Sequence, residues 1–195
     1  MPHLIVLFGP PAVGKAAIGH HLAQRTGYRF FHNHLTAEPV AALFGWGGER
    51  YGRMVHAIRA PLLKEAAADR SIPGVVFTYV WDLDSSDETA TVQQYAEFFE
   101  SGGGQASFVE LHAKLETRIG REGTEFRLGL KPSQRDVEAA KLRQVEMAAK
   151  YRMNTIGQLP IQYPHFTLNT EAYEPEAAAE TIISALAIQA VRSDA

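Results

Sequence analysis

Two glycines and a lysine open the chemistry. The segment GPPAVGK, residues 9–15, follows the apolar run HLIVLF, residues 3–8. Gly9 and Gly14 lie five apart, and Lys15 follows directly. That spacing lets the loop over residues 11–15 wrap a phosphate, with Pro11 shaping the turn and the backbone N–H groups supplied by Ala12, Val13, Gly14 and Lys15. Glycine at 9 and 14 permits backbone angles that strain other residues. A helix beginning here adds partial positive charge, and Lys15 would reach the β- and γ-phosphates as a point charge. A ligand-free glycine turn between a strand and a helix is the plain alternative. The next two residues, Ala16 and Ala17, leave empty the positions where a hydroxyl would hold magnesium. Magnesium keeps several waters and leans on phosphate oxygens, so direct metal contact is expected to be weakened, with the cradle intact.

Other residues invite roles. His32 and His34 alternate in FHNHLT, residues 31–36, so a continuing strand would point both to one face. They could bind an acceptor or act as a general base, ligate a metal, or sit as hydrogen-bonded imidazoles at a strand end. Asn33 would then point the other way and pack. Asp82, after FTYVW, falls at the C-terminal end of a strand, where ligands bind in open α/β sheets. It is a candidate for holding magnesium through water or for the acceptor proton, against a capping or turn aspartate; Asp84 is a second candidate, and Thr78 and Tyr79 could line the pocket instead. Arg118, Arg121, Arg127, Lys131 and Arg135 form a basic cluster in an otherwise acidic chain. Arginines stabilise the charge on a transferring phosphoryl group, and a mobile segment could bring them in. The alternative is a solvated helix paired to Glu116, Glu122 and Glu125. Trp46 and Trp81 fit a core as well as a stacking surface. His20 and His21 read as surface or packing residues.

Strands and helices alternate around these groups. HLIVLF reads as a buried strand and residues 14–25 as a helix; residues 28–33 read as a second strand. Residues 36–70 are helical in two pieces, broken over 45–52 and with Pro61 inside the second. GVVFTYVW, residues 74–81, is the strongest β signal, followed by a helix over 87–100 that stops at SGGG. ASFVEL, residues 106–111, leads to a short basic helix over 113–122, then a long helix over 133–151 with Ser133 as N-cap. HFTLN, residues 165–169, and a helix over 174–191 with Pro175 in its first turn close the chain. Five β-α units imply a parallel sheet covered on both faces. No repeat or linker divides residues 1–195, which read as one domain.

GPPAVGK after a first strand resembles the P-loop small-molecule kinases: adenylate kinase, shikimate kinase and chloramphenicol phosphotransferase. ASFVELHAKLETRIGRE resembles their fourth strand and arginine-rich lid, and FTLNTEAYEPEAAAETI their last strand, base loop and final helix. FHNHLT after the second strand most resembles uncharacterised kinase-like AAA-type ATPases. The resemblance covers nearly the whole chain and implies the three-layer P-loop NTP hydrolase fold, a five-stranded parallel sheet in the order 2-3-1-4-5. It implies an acceptor-binding insertion near 33–70 and a lid near 120–136. It places Arg118 beside the adenine or phosphates, Arg121 nearer the γ-phosphate, and the loop after Asn169 and Thr170 against the base. It puts His32 and His34 at the acceptor, without the aspartate pair of shikimate kinases. It matches Arg59 to a helix-borne arginine that suits an acceptor carboxylate or phosphate, against a solvated helix face; Arg53 is a weaker candidate. Shikimate kinases carry serine or threonine after the lysine and adenylate kinases glycine then threonine, whereas this chain carries two alanines.

Composition bounds these readings. Cysteine is absent, which excludes disulfides, thiolate catalysis and cysteine-based zinc sites. A net charge of −3 argues against a nucleic-acid or membrane surface as the main partner. The first apolar run, Leu4 to Phe8, is too short for a signal peptide and lacks a basic flank, and no apolar stretch approaches a membrane span. The expectation is a cytoplasmic, monomeric phosphotransferase that uses ATP and Mg2+ and passes the γ-phosphoryl group to a small-molecule acceptor. The alternative is a nucleotide-binding sensor with weak or no transfer, which the paired alanines favour.

Overall fold

The structure is a computed structural model describing residues 1–122, 136–155, 157–163 and 165–189. At its centre is β1 (His3–Phe8), all six of whose residues are buried. It pairs in parallel with β3 (Gly74–Tyr79) on one side and β4 (Gln105–His112) on the other. A short β2 (Arg29–Phe31) extends the sheet beyond β3, and β5 (His165–Asn169) extends it beyond β4. The order is 2-3-1-4-5, with every pairing parallel.

A strand covered on both faces needs apolar residues throughout, and β1 divides them by its period of two. Leu4, Val6 and Phe8 join a core with Leu63, Tyr95 and Phe99. Ile5 and Leu7 join the other core with Ile18, Leu22, Ala178 and Ile182. The first core is covered by α3 (Gly48–Ala68) and α4 (Ser86–Ser101), the second by α1 (Lys15–Thr26) and α7 (Pro175–Ala185). Three layers result. Further helices are α2 (His34–Phe44), packed on α3, and α5 (Leu115–Gly120), packed on α6 (Val137–Lys150). No helix among the described residues is long and apolar enough to cross a membrane.

Several boundaries differ from expectation. The second strand is three residues long, not the span 28–33. Asn33 leaves the ladder because its N–H donates to Thr78 Oγ1 at 3.0 Å, and the chain turns into α2 at His34. The break expected over 45–52 shrinks to residues 45–47, and α3 starts at Gly48. The third strand ends at Tyr79, so Trp81 lies beyond it. The helix expected over 174–191 stops at Ala185. Ala187 adopts φ 51, and the Ile188 N–H returns to Ile183 O at 3.1 Å, the six-to-one bond of a left-handed helix stop. Ser133, Arg127, Lys131 and Arg135, with most of the expected lid, lie outside the described residues. The cap seen on α6 is Asp136, whose carboxylate accepts the Ala139 N–H at 3.0 Å.

Candidate functional site: a phosphate cradle between two polar banks

The register fixes the site. Phe8 stands opposite Tyr79 of β3 and Glu110 of β4, so the loop after β1 emerges between the C-terminal ends of both neighbours. Gly9 has φ 135, and a Cβ there would lie 2.2 Å from Leu111 O on β4. Only glycine lets the loop leave the strand this close to β4. Ala12 is held at φ 58, a rare angle for a residue with a side chain and the kind of local strain that collects at functional sites. Gly14, at φ 107, stands at the N-cap of α1. Pro11 to Lys15 thus lead into a helix N-terminus, where unpaired N–H groups and the helix dipole favour an anion. Lys15 is buried, and its Nζ donates to Gly9 O and Pro10 O at 2.6 Å each, folding the ammonium back across the loop. Ala16 and Ala17 are half-buried at the start of α1.

Two arginines close on the same loop. Arg118, on α5, is buried and donates from Nη1 to Pro11 O and to Gln144 Oε1, each at 3.3 Å. Its Nε has no hydrogen-bond partner among the described residues, and burial lowers its pKa. Gln144 of α6 is itself buried and binds back to Arg118 O at 3.3 Å, so α6 fixes this arginine. Arg121 donates to Thr170 Oγ1 and Thr170 O at 2.9 Å each, and reaches Val13 O at 3.4 Å. Thr170 is buried and donates its own N–H to His112 O at 3.0 Å, while Asn169 is exposed and its Oδ1 accepts the Glu171 N–H. Arg121, expected nearer the γ-phosphate, therefore lies against the loop expected to face the base. Arg118 stands at the other end of the cradle, beside a cavity of about 470 Å³ lined by Pro10, Asp84, Lys150, Arg152 and Asn154.

The second bank lies past the ends of β2 and β3. Arg59 is 4% exposed, so the solvated-face reading fails. Its Nε donates to Thr36 Oγ1 at 2.7 Å, and its Nη2 donates to Asn33 O at 3.1 Å and also to Asn33 Oδ1. The guanidinium lies 5.6 Å from the ring centroids of both Phe77 and Tyr79. No carboxylate pairs with it among the described residues, and burial lowers its pKa. Asn33 does not simply pack, as the alternation suggested; it binds the buried cation. His32 is buried with its ring against Phe30, while His34 opens α2 and its Nδ1 meets Glu38 Oε1 at 2.8 Å. The strand has ended before either histidine, so the two do not share a strand face. Trp46 is half-exposed beside His34 and Tyr51, whereas Trp81 is fully buried against Phe8. Thr78 is occupied in holding the Asn33 N–H.

Asp82 follows the end of β3, and its Oδ1 accepts the Asp84 N–H at 3.2 Å. Asp84 is exposed and pairs with Arg152 at 2.7 Å. The sequence pattern passed over Glu88. Ser85 caps α4 by accepting the Glu88 N–H at 3.2 Å, and a serine followed three residues later by glutamate is the signature of a capping box. In that motif the glutamate returns to the cap's own N–H. Here Glu88 Oε2 instead accepts the Asp82 N–H at 2.9 Å. Burial raises its pKa, with Asp82 adding repulsion and Arg59 opposing. No cluster of three or more His, Asp or Glu residues able to hold a metal occurs among the described residues.

No protein-family model matches the chain. No curated protein matches it either. Solved structures do. A gluconokinase from Sinorhizobium meliloti 1021 is 17% identical over 95% of this chain and 92% of its own, with a TM-score of 0.58. The tunicamycin resistance protein of Deinococcus radiodurans is 20% identical over 98% and 99%, with a TM-score of 0.56. A shikimate kinase from Acinetobacter baumannii, in complex with shikimate, is 16% identical over 96% and 93%, with a TM-score of 0.52. At such identities the likeness speaks for architecture, and together with the sheet order and the glycine–lysine loop it gives the chain the P-loop kinase fold.

Proposed function

We propose that the protein is an ATP-dependent phosphotransferase that moves the γ-phosphoryl group to a small-molecule acceptor. The observation that carries this reading is the cradle at Gly9–Lys15, with cations already on its own carbonyls and a second polar bank beyond β2 and β3. A sensor needs only one bank. Backbone N–H groups of the loop and Lys15 hold the phosphates. Arg118 meets the transferring group, and Arg121 with Thr170 orders the base side. Arg59 holds Asn33 and Thr36 and gives the acceptor bank its positive charge, which suits an anionic acceptor. His32 and His34 shape the same bank. A single chain carries both banks, so a monomer suffices, and the ATP requirement suits the cytoplasm.

Magnesium fits this site as an ion carried on the nucleotide. Ala16 and Ala17 offer no hydroxyl, and Asp82, just past the end of β3, is the carboxylate that would meet the ion through water. When bound, it neutralises charge on the β- and γ-phosphates. The protein's share is to orient: the loop fixes the donor phosphates, and the ends of β2 and β3 fix the acceptor.

The test is label transfer. Purified protein, magnesium and γ-labelled ATP are mixed with a fractionated metabolite extract, beside a Lys15→Ala control. A labelled product made by the native protein and lost in the control supports the reading and reveals the acceptor. Label that stays on ATP in every fraction, while ATP binding is measured separately, favours the sensor reading, with Ala16 and Ala17 as its cause.

A further inference from the structure

The acceptor bank contains several groups that accept a proton, and their contacts differ. His34 meets Glu38 through Nδ1. Asp82 closes a turn onto the Asp84 N–H, on the side where Asp84 pairs with Arg152. Glu88 is different. Its backbone serves the cap of α4, yet its carboxylate leaves the cap and reaches the Asp82 N–H at the end of β3. Only Oε2 is used there; Oε1 has no hydrogen-bond partner among the described residues. The charged and titratable groups that act electrostatically on the carboxylate are Asp82 from the loop, Arg59 from α3 and Tyr79 from β3. Tyr79 is next to Phe8 in the register, and Phe8 is the last residue before the cradle.

We propose that Glu88 is the catalytic base for the acceptor: its free Oε1 accepts the hydroxyl hydrogen of the molecule that receives the phosphoryl group. This rests on the phosphotransferase reading above. In the step, the acceptor oxygen bonds to the γ-phosphorus. The bond from that phosphorus to the β–γ bridging oxygen breaks, and its electron pair leaves with ADP. The hydroxyl proton passes to Glu88 Oε1.

Glu88→Gln keeps the size and, through its amide oxygen, the bond from Asp82. Ser85→Ala removes the cap of α4 and leaves Glu88 in place. The probes are γ-labelled ATP with gluconate, shikimate, glucose, glycerol and adenosine. The native protein is expected to label at least one. Glu88→Gln is expected to label it at least about 100-fold more slowly, with ATP affinity within about twofold of native. Ser85→Ala is expected to melt earlier and to transfer at the native rate. If no probe is labelled, the same three proteins are compared in hydrolysis of γ-labelled ATP, where water takes the acceptor's place and the same order is expected. A Glu88→Gln protein as fast as native in these assays overturns the proposal alone. So does a Ser85→Ala protein as slow as Glu88→Gln, which would make the effect one of helix capping. A native protein that binds ATP but neither transfers nor hydrolyses the label overturns both this proposal and the phosphotransferase reading.

Discussion

Gly9→Ala is the sharpest test of how the sheet positions the cradle. The added Cβ would lie 2.2 Å from Leu111 O and 3.3 Å from Leu111 C. Both are backbone atoms, so no side chain can swing away. Relief requires the loop or the end of β4 to move by about 1 Å. The angle adds to this: φ 135 is a region that residues with a side chain rarely adopt, at a strain of about 1–3 kcal/mol. Clash and strain together amount to about 4 kcal/mol, among the largest effects expected of a single methyl group. For a domain of this size that lowers the melting temperature by roughly 10 °C. The loop amides shift with Gly9, so ATP affinity should fall at least about tenfold. Thermal unfolding and calorimetric titration with ATP read the two effects. A variant that melts within about 2 °C of native and binds ATP equally well would refute the claim that the Leu111 carbonyl fixes the loop.

Other expectations follow from the same contacts. His3 is buried against Tyr28 and Ser107, and burial lowers its pKa from 6.5 to about 4. The unfolded chain therefore binds the proton first as pH falls. The stabilisation is complete above pH 6.5 and is lost toward pH 4, by about 3 kcal/mol; His3→Gln should flatten that part of the stability–pH curve, and an unchanged slope would refute the assignment. Arg59→Met removes the donors that hold Thr36 and Asn33, so amide hydrogen exchange across 33–37 should accelerate at least about tenfold while Val76 in β3 is unaffected. Ala16→Ser restores a hydroxyl after Lys15. The ratio of ATP affinities measured with magnesium and with chelator should rise by about three- to tenfold, and an unchanged ratio would place the metal away from the start of α1.

The parts that were legible in the sequence are those where one local cause dominates. The run Leu4–Phe8 reads as a central strand because burial on both faces demands it. The glycines of the loop read correctly because backbone geometry leaves no other residue there. The second polar bank was less legible because its positions depend on long-range hydrogen bonds. Phe31–Thr36 has the alternation of a strand, but Thr78, 45 residues away, captures the Asn33 N–H and ends it. Arg59 lies on a helix rich in charge, and only the packing of Phe77 and Tyr79 shows that it is inside. Glu88 carries the spacing of a helix cap, and that local signal hid the departure of its side chain toward Asp82. The resemblance of Arg118 and Arg121 to lid arginines was visible, but the side each one takes depends on Gln144 and Thr170, which come from elements far along the chain.

Three cations of the site all rest on carbonyl oxygens of the loop they would serve. Lys15 contacts Gly9 O and Pro10 O, Arg118 contacts Pro11 O, and Arg121 contacts Val13 O. In a loop whose amides face outward to an anion, the carbonyls face the other way and need donors of their own. The cations supply them and thereby fix the loop before any phosphate arrives. The amides that a phosphate would meet are then already oriented, so little rearrangement of the loop would be required on binding an anion. This gives a physical reason why a chain with alanine at 16 and 17 can keep the cradle: the shape of the loop is held by side chains on its carbonyls, and it does not depend on a hydroxyl at either position.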